Sequence, residues 1–367
     1  MESLKAIALI SYSIFSSSCI AQEVDLKNLI LPDGFTISVY AEVNGPRQLA
    51  LGADNIVYVG GLRDRVSAVL DSNGDGSADE VLIVAEGLNT PNGVAYHQGD
   101  LYIGEINRIS KISNISSRLS EPQATETIID SLPRERHHGF KFLQIGPDGK
   151  IYFPVGGPCN VCLRSEETFA TIQRMNLDGG DQEIVAHGVR NTVGFDWHPQ
   201  TAELWFTDNG RDNLGDNIPA CEINRLTEVG QHFGFPFIHQ GDLPDPDFGV
   251  GKSVNDFIPP VQKLVAHSAP LGLVFYRGTM FPEEYRNTFF VAEHGSWNRS
   301  EKSGYRVAMG KISTDNYSVT EYVSFLEGFL QGQANWGRPV DILNMRDGSV
   351  LISDDMANVI YRVSYAN

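Results

Sequence analysis

The sequence predicts an all-β fold, a single six-bladed β-propeller, and three observations carry that reading. A unit of short apolar strand, Gly/Asp/Asn turn and second apolar strand recurs six times. The strands alternate with period two between turn residues, the signature of short antiparallel strands. No amphipathic helix of convincing length interrupts them. The first unit runs from Pro46-Arg47-Gln48-Leu49 to Val57-Tyr58-Val59, and the second from Pro91-Asn92-Gly93-Val94 to Leu101-Tyr102-Ile103. The third opens at His138 and, past the turn Gly146-Pro147-Asp148-Gly149, ends on Tyr152-Phe153. The fourth joins Arg190-Asn191-Thr192-Val193-Gly194 to Leu204-Trp205-Phe206. The fifth joins Pro270-Leu271-Gly272-Leu273 to Phe289-Phe290-Val291, and the sixth Arg338-Pro339-Val340-Asp341 to Val350-Leu351-Ile352. The early units lie about 45 residues apart, which suits four-stranded blades arranged radially. Longer gaps before the fifth and sixth predict inserted loops, for example the Pro/Asp/Gly-rich segment 241–251.

Residues 22–367 read as one catalytic domain, because each blade packs mainly on its neighbours and no linker divides the chain. Ahead of it, Lys5, the apolar stretch 6–15 and small residues to Ala21 read as a secretion signal over residues 1–21, too short for a retained span. Acylation of Cys19 is the competing reading. The expected location is periplasmic or secreted. A net charge of −18 argues against nucleic acid and anionic membrane surfaces as partners and fits a soluble surface. In an exported chain Cys159-Asn160-Val161-Cys162 suits a structural disulfide better than redox chemistry or zinc, whereas Cys221 is an odd thiol whose pairing stays open.

Three segments carry chemistry. Arg136-His137-His138-Gly139 places histidines at the start of a repeat, where an imidazole could serve as a base near neutral pH. Asp71, Asn73 and Asp75 alternate ahead of Gly76 like the first half of a calcium loop, although the closing Glu position holds Leu82. Asp208-Asn209-Gly210-Arg211-Asp212 follows a strand where propeller loops reach the central channel. His267 is a further histidine that could face that channel.

His138 ahead of Ile145-Gly146-Pro147-Asp148-Gly149, Cys159-Asn160-Val161-Cys162, Arg190-Asn191 ahead of Gly194, Asp208-Asn209-Gly210-Arg211-Asp212 ahead of Glu222-Ile223-Asn224, and His294-Gly295-Ser296-Trp297-Asn298-Arg299 form an ordered set over the mature chain. In that order they resemble the soluble pyrroloquinoline-quinone (PQQ) dependent sugar dehydrogenases, in particular the sorbosone and pyranose dehydrogenase branch. The resemblance implies that His138 is the general base and that Arg190, with Asn191 beside it, lies against the cofactor carbonyls. It implies carbonyls of Gly210 and Arg211 on an active-site calcium, and Arg338 on a cofactor carboxylate. His294, Ser296, Trp297, Asn298 and Arg299 fall among further cofactor contacts, with Arg63 a weaker one. The implied substrate is an aldose, aldosone or aldehyde, and the implied partner an external electron acceptor such as a cytochrome or quinone. Two positions depart from the glucose enzymes: Gly157 stands where an Asp orients the base, and Pro91 where a Gln meets the cofactor. Two other readings stay open: a calcium-dependent lactonase using Asp208, Asn209 and Glu222, and a non-catalytic binding propeller.

Overall fold

Six sheets, each built on four antiparallel strands, follow one another around a central channel in the computed structural model, which describes residues 24–315 and 317–366. The leader reading and Cys19 lie outside the described residues. Among the described residues helix is confined to 3₁₀ turns of three residues, as the absence of helical periodicity predicts. No helix among the described residues is long and apolar enough to cross a membrane.

The inner strands of blades 1 to 6 are Pro46–Leu51, Gly93–His97, Gln144–Ile145, Phe195–Trp197, Pro270–Phe275 and Pro339–Asn344. The second strands are Val57–Gly61, Asp100–Gly104, Ile151–Val155, Leu204–Asp208, Thr288–Glu293 and Val350–Asp354. Each repeat unit in the sequence is therefore the inner hairpin of one blade. Second strands such as Ile151–Val155 and Leu204–Asp208 are buried at every position. The reason is packing on both faces. One apolar cluster fills each gap between neighbouring blades, for example Tyr58, Val66 and Ala68 of blade 1 against Val94, Leu101 and Ile103 of blade 2. A strand covered twice has no wet face to carry polar residues.

The sequence repeat does not reveal how the ring closes. Blade 6 takes its outermost strand from the start of the described chain: Phe35–Glu42 pairs antiparallel with Val359–Tyr365. Phe35 then packs edge-on against Phe281, Phe325 and Tyr365, with ring centroids 4.7, 5.0 and 4.9 Å away. The inserted segment before the fifth unit lies inside blade 4, between Cys221–Leu226 and Gln262–Leu264. It straps across to blade 3, where Gln231–His232 pairs parallel with Glu183–His187.

Glycines in the repeats permit close blade contact near the channel. A Cβ at Gly194 would collide with the Leu271 carbonyl of blade 5, and one at Gly93 with the Lys141 carbonyl ahead of blade 3.

Candidate active site

Inner strands begin and second strands end at the same face of the ring, so their loops converge there. They enclose a cavity of about 400 Å³, a volume suited to a small organic ligand. Arg47, Arg136, Arg190 and Arg338 line it against only Asp212 and Asp355. This local excess of positive charge sits in a chain of net charge −18. Such a site concentrates a small anion and repels little of it.

His138 stands in the cavity wall with a left-handed backbone, φ 52°. Non-glycine residues in that region are uncommon and gather at functional sites. The conformation turns Nδ1 toward the Gly157 carbonyl, 2.8 Å away. A carbonyl only accepts, so Nδ1 carries the ring proton and Nε2 keeps its lone pair. Gly157, the position that lacks the expected Asp, orients the imidazole through its backbone instead. Its neighbour must also be glycine, since a Cβ at Gly156 would come within 2.6 Å of the His138 Cβ. Burial, then the Arg190 guanidinium and His137, push the His138 pKa down to about 2, against the Gly157 hydrogen bond. His137 is exposed, its ring 4.1 Å from that of His138.

Arg190 is buried and held on every side. Its Nε donates to the Asn160 carbonyl (2.8 Å) and Nη1 to the Asn209 carbonyl (3.0 Å). Nη2 reaches Asn160 Oδ1 (2.9 Å) and Asp212 Oδ2 (3.1 Å). Its backbone N–H donates to Asp208, the last residue of the second strand of blade 4. Asp208 also accepts from the Asn191 N–H at 2.6 Å. The same construction recurs in blade 6, where Asp354 ends the second strand and accepts from the Arg338 N–H at 2.9 Å. A buried acid at the end of a second strand thus fixes a site arginine twice.

Arg338 donates from Nε and Nη2 to the carbonyls of His294 and Gly295 (3.1 and 3.0 Å). His294 lines the cavity and binds Asp355 through Nε2 at 2.9 Å. Asp355 in turn accepts from Arg47 at 2.7 Å. Burial pushes the His294 pKa down to about 4 despite Asp355. Burial works against the Asp355 carboxylate, yet His294 and Arg47 hold it ionised, well below its usual range. Asn298 donates to Asp212 at 2.6 Å, while its buried Oδ1 has no partner among the described residues. His267 lines the same cavity, with Nε2 on the Gly215 carbonyl at 2.8 Å.

The structure therefore brings together His138, Arg190, Asn191, Gly210, His294, Trp297, Asn298 and Arg338. Trp297 is 75% exposed at the rim and fills no core gap. Four expected residues lie elsewhere. Arg63 is exposed on a separate groove with Glu42 and Asp64, and the blade 1 arginine that faces the site is Arg47. Ser296 is buried behind the wall, its hydroxyl accepting from the Ser303 N–H. Arg299 ties the loop to the Asp216 carbonyl and Asn217. Arg211 turns to Asp245 and does not line the cavity.

In the expected calcium loop the side chains accept from neighbouring backbone N–H groups. Asp71 accepts from the N–H groups of Gly74 and Gly76 (2.7 and 2.9 Å), Asn73 from Asp75 (2.8 Å) and Asp75 from Ser77 (2.9 Å). Of the three lactonase residues, Asp208 accepts from the Arg190 and Asn191 N–H groups, Glu222 accepts from Asn224 and the Gln240 N–H, and Asn209 donates to the Asn191 and Pro270 carbonyls. Among the described residues, no three His, Cys, Asp or Glu side chains are grouped to hold a metal.

The motifs assign no site role to Arg47, Asp355 or Asn160, and name Asp212 only within the loop that reaches the channel. A signal existed for two of them: Arg47 opens a repeat unit much as Arg338 does, and Asp355 follows a second strand.

The fold and site together define a six-bladed propeller with a cation-rich channel mouth. The chain belongs to the family described as a domain of unknown function, DUF7133, whose model matches residues 46–363. A protein of Borreliella burgdorferi, described as uncharacterized, is 36% identical over 366 residues, covering 96% of this chain and 95% of its own. Among solved structures, the calcium structure of a Trichoderma reesei carbohydrate-active enzyme of family AA12 superposes with a TM-score of 0.80 at 15% identity, covering 94% of this chain and 99% of its own. The holo PQQ domain of a Coprinopsis cinerea pyranose dehydrogenase gives a TM-score of 0.77 at 18% identity, over 92% of this chain and 97% of its own. At such identities the likeness is one of fold.

Proposed function

We propose that this protein is a PQQ-dependent dehydrogenase that oxidises a hydroxyl or aldehyde carbon of a sugar-like substrate, with His138 as general base. The observation that carries the proposal is the tautomer of His138: the Gly157 carbonyl leaves Nε2 as a free base in a cavity lined by four arginines. Two of the similar folds, the Coprinopsis holo domain and the Trichoderma calcium structure, are described with PQQ and calcium, which supports the same reading.

The residues present fit a tricarboxylate quinone. Arg338, bonded to carbonyls and to no carboxylate, has guanidinium N–H capacity left for a ligand carboxylate. The unpartnered Oδ1 of Asn298 marks a polar site awaiting a donor. Calcium, if bound, rests on neutral backbone oxygen at Gly210, a donor type that a hard cation accepts. When bound, such a quinone would provide the hydride acceptor, with calcium as a Lewis acid beside it. The chain's own part is to place and charge the site. His138 Nε2 takes the proton of the substrate hydroxyl while its Nδ1–H stays on Gly157. Arg190, immobilised by four hydrogen bonds from its guanidinium, offers a fixed positive charge where negative charge develops. Trp297 at the rim presents a flat apolar face to an entering ring.

The test is reconstitution of purified apoprotein with PQQ and calcium, followed by dye reduction against panels of aldoses, aldosones and aldehydes. Substrate-dependent bleaching supports the proposal. Acid release from lactones without an acceptor, or no turnover with any panel member, overturns it.

A further inference from the structure

The geometry points to the disulfide-closed turn Cys159–Cys162 as a positioning device, which presents Asn160 as the clamp that aims Arg190 into the cavity. Cys159 and Cys162 are joined, and both are only half-buried. Between them Asn160 uses every polar group it presents inward. Its carbonyl accepts from Arg190 Nε (2.8 Å), and its Oδ1 accepts from Arg190 Nη2 (2.9 Å) and from the Asp212 N–H (2.8 Å). Its Nδ2 donates to the Asp212 carbonyl at 3.1 Å. Two cavity residues from blade 4 loops are therefore gripped by one residue of a blade 3 loop. The same segment reaches the base as well. Gly157 donates its N–H to the Arg190 carbonyl (2.8 Å) and accepts His138 Nδ1 (2.8 Å). No regular strand holds this turn beyond Val155. An asparagine in an open loop samples many conformers, and a short covalent ring removes most of them.

Reduction is then expected to loosen the arginine without unfolding the propeller, because no blade strand depends on the turn. A small dithiol performs it by exchange: the dithiol's two S–H groups become its own cyclic disulfide, and the Cys159–Cys162 bond becomes two S–H groups. The identity of the bound anion rests on the proposed PQQ function, but the clamp does not. The first measurement therefore omits PQQ. In ¹⁵N-labelled full-length apoprotein, the Arg190 Nε–H resonance, assigned by its loss in Arg190→Lys, reports the bond to Asn160. Its hydrogen exchange should accelerate at least about tenfold on reduction, as local opening becomes easier, with circular dichroism unchanged. The second measurement is PQQ affinity by fluorescence titration. Asn160→Ala should weaken it by about 10- to 100-fold, the usual cost of losing a residue that orients a ligand-binding group. The same substitution should have no further effect in an Arg190→Ala background. Exchange that ignores both reduction and Asn160→Ala, or additive losses in the double variant, overturns the clamp. Exchange that responds in a protein that takes up no PQQ upholds the clamp and removes the cofactor reading. Should Cys159→Ser/Cys162→Ser fail to fold, chemical reduction of the folded protein still decides.

Discussion

At the scale of single residues, His138 shows how backbone conformation selects chemistry. Its left-handed φ points Nδ1 at a carbonyl, and that one acceptor fixes the tautomer. Replacing His138 with Ala should leave PQQ binding intact and lower kcat by about 10²- to 10⁴-fold in the reconstituted dye assay. The depressed pKa also has a pH signature. In the unfolded chain the imidazole binds a proton below about 6.5, whereas in the folded chain it stays neutral down to about 2. The unfolded state thus binds more protons across that window, and stability falls as pH drops through it, by at most about 1.4 kcal/mol per unit for this residue. Denaturant unfolding at pH 5 and pH 7 should show a smaller pH difference in His138→Ala than in the wild type. Arg47 and Arg338 should separate in the same assays. Arg47→Ala strands a buried Asp355 beside His294 and should cost about 3 kcal/mol of stability. Arg338→Ala frees only carbonyls, so it should weaken PQQ affinity with little loss of stability.

At the scale of elements, the repeat unit is the inner hairpin of a blade, and its glycines are set by contact with the next blade. Gly194 illustrates the constraint. A methyl there meets the Leu271 carbonyl, so Gly194→Ala should lower stability by about 1–3 kcal/mol, seen as an earlier thermal transition. The acids that end second strands are elements of the site as much as of the fold: Asp208 and Asp354 hold the backbone of Arg190 and Arg338. The acidic loop 71–79 looks alike in sequence, but its side chains close on its own N–H groups, away from the channel.

At the scale of the whole molecule, the ring is held shut by one strand pairing, Phe35–Glu42 on Val359–Tyr365. Phe35 buries its ring among aromatic side chains of blades 5 and 6. Phe35→Ala should cost about 2–3 kcal/mol, less than for a fully buried phenylalanine, in a cooperative thermal unfolding curve. Removing the strand altogether exposes the edge of Val359–Tyr365, and size-exclusion chromatography should then show self-association.

The sequence by itself determined the blade count, the antiparallel hairpins and the lack of long helices, which follow from local periodicity. The placing of His138, Arg190 and Arg338 at the site came instead from the resemblance of the ordered motifs to a known family, and the structure brings all three to one cavity. Ring closure joins residues more than 300 positions apart, and no local pattern records it. Tertiary structure alone also decided that Arg47 faces the channel while Arg63 faces solvent, because a loop residue's direction depends on the blade beside it. The same holds for the base: its orienting partner is a backbone carbonyl at Gly157, and a carbonyl carries no side-chain signature to read.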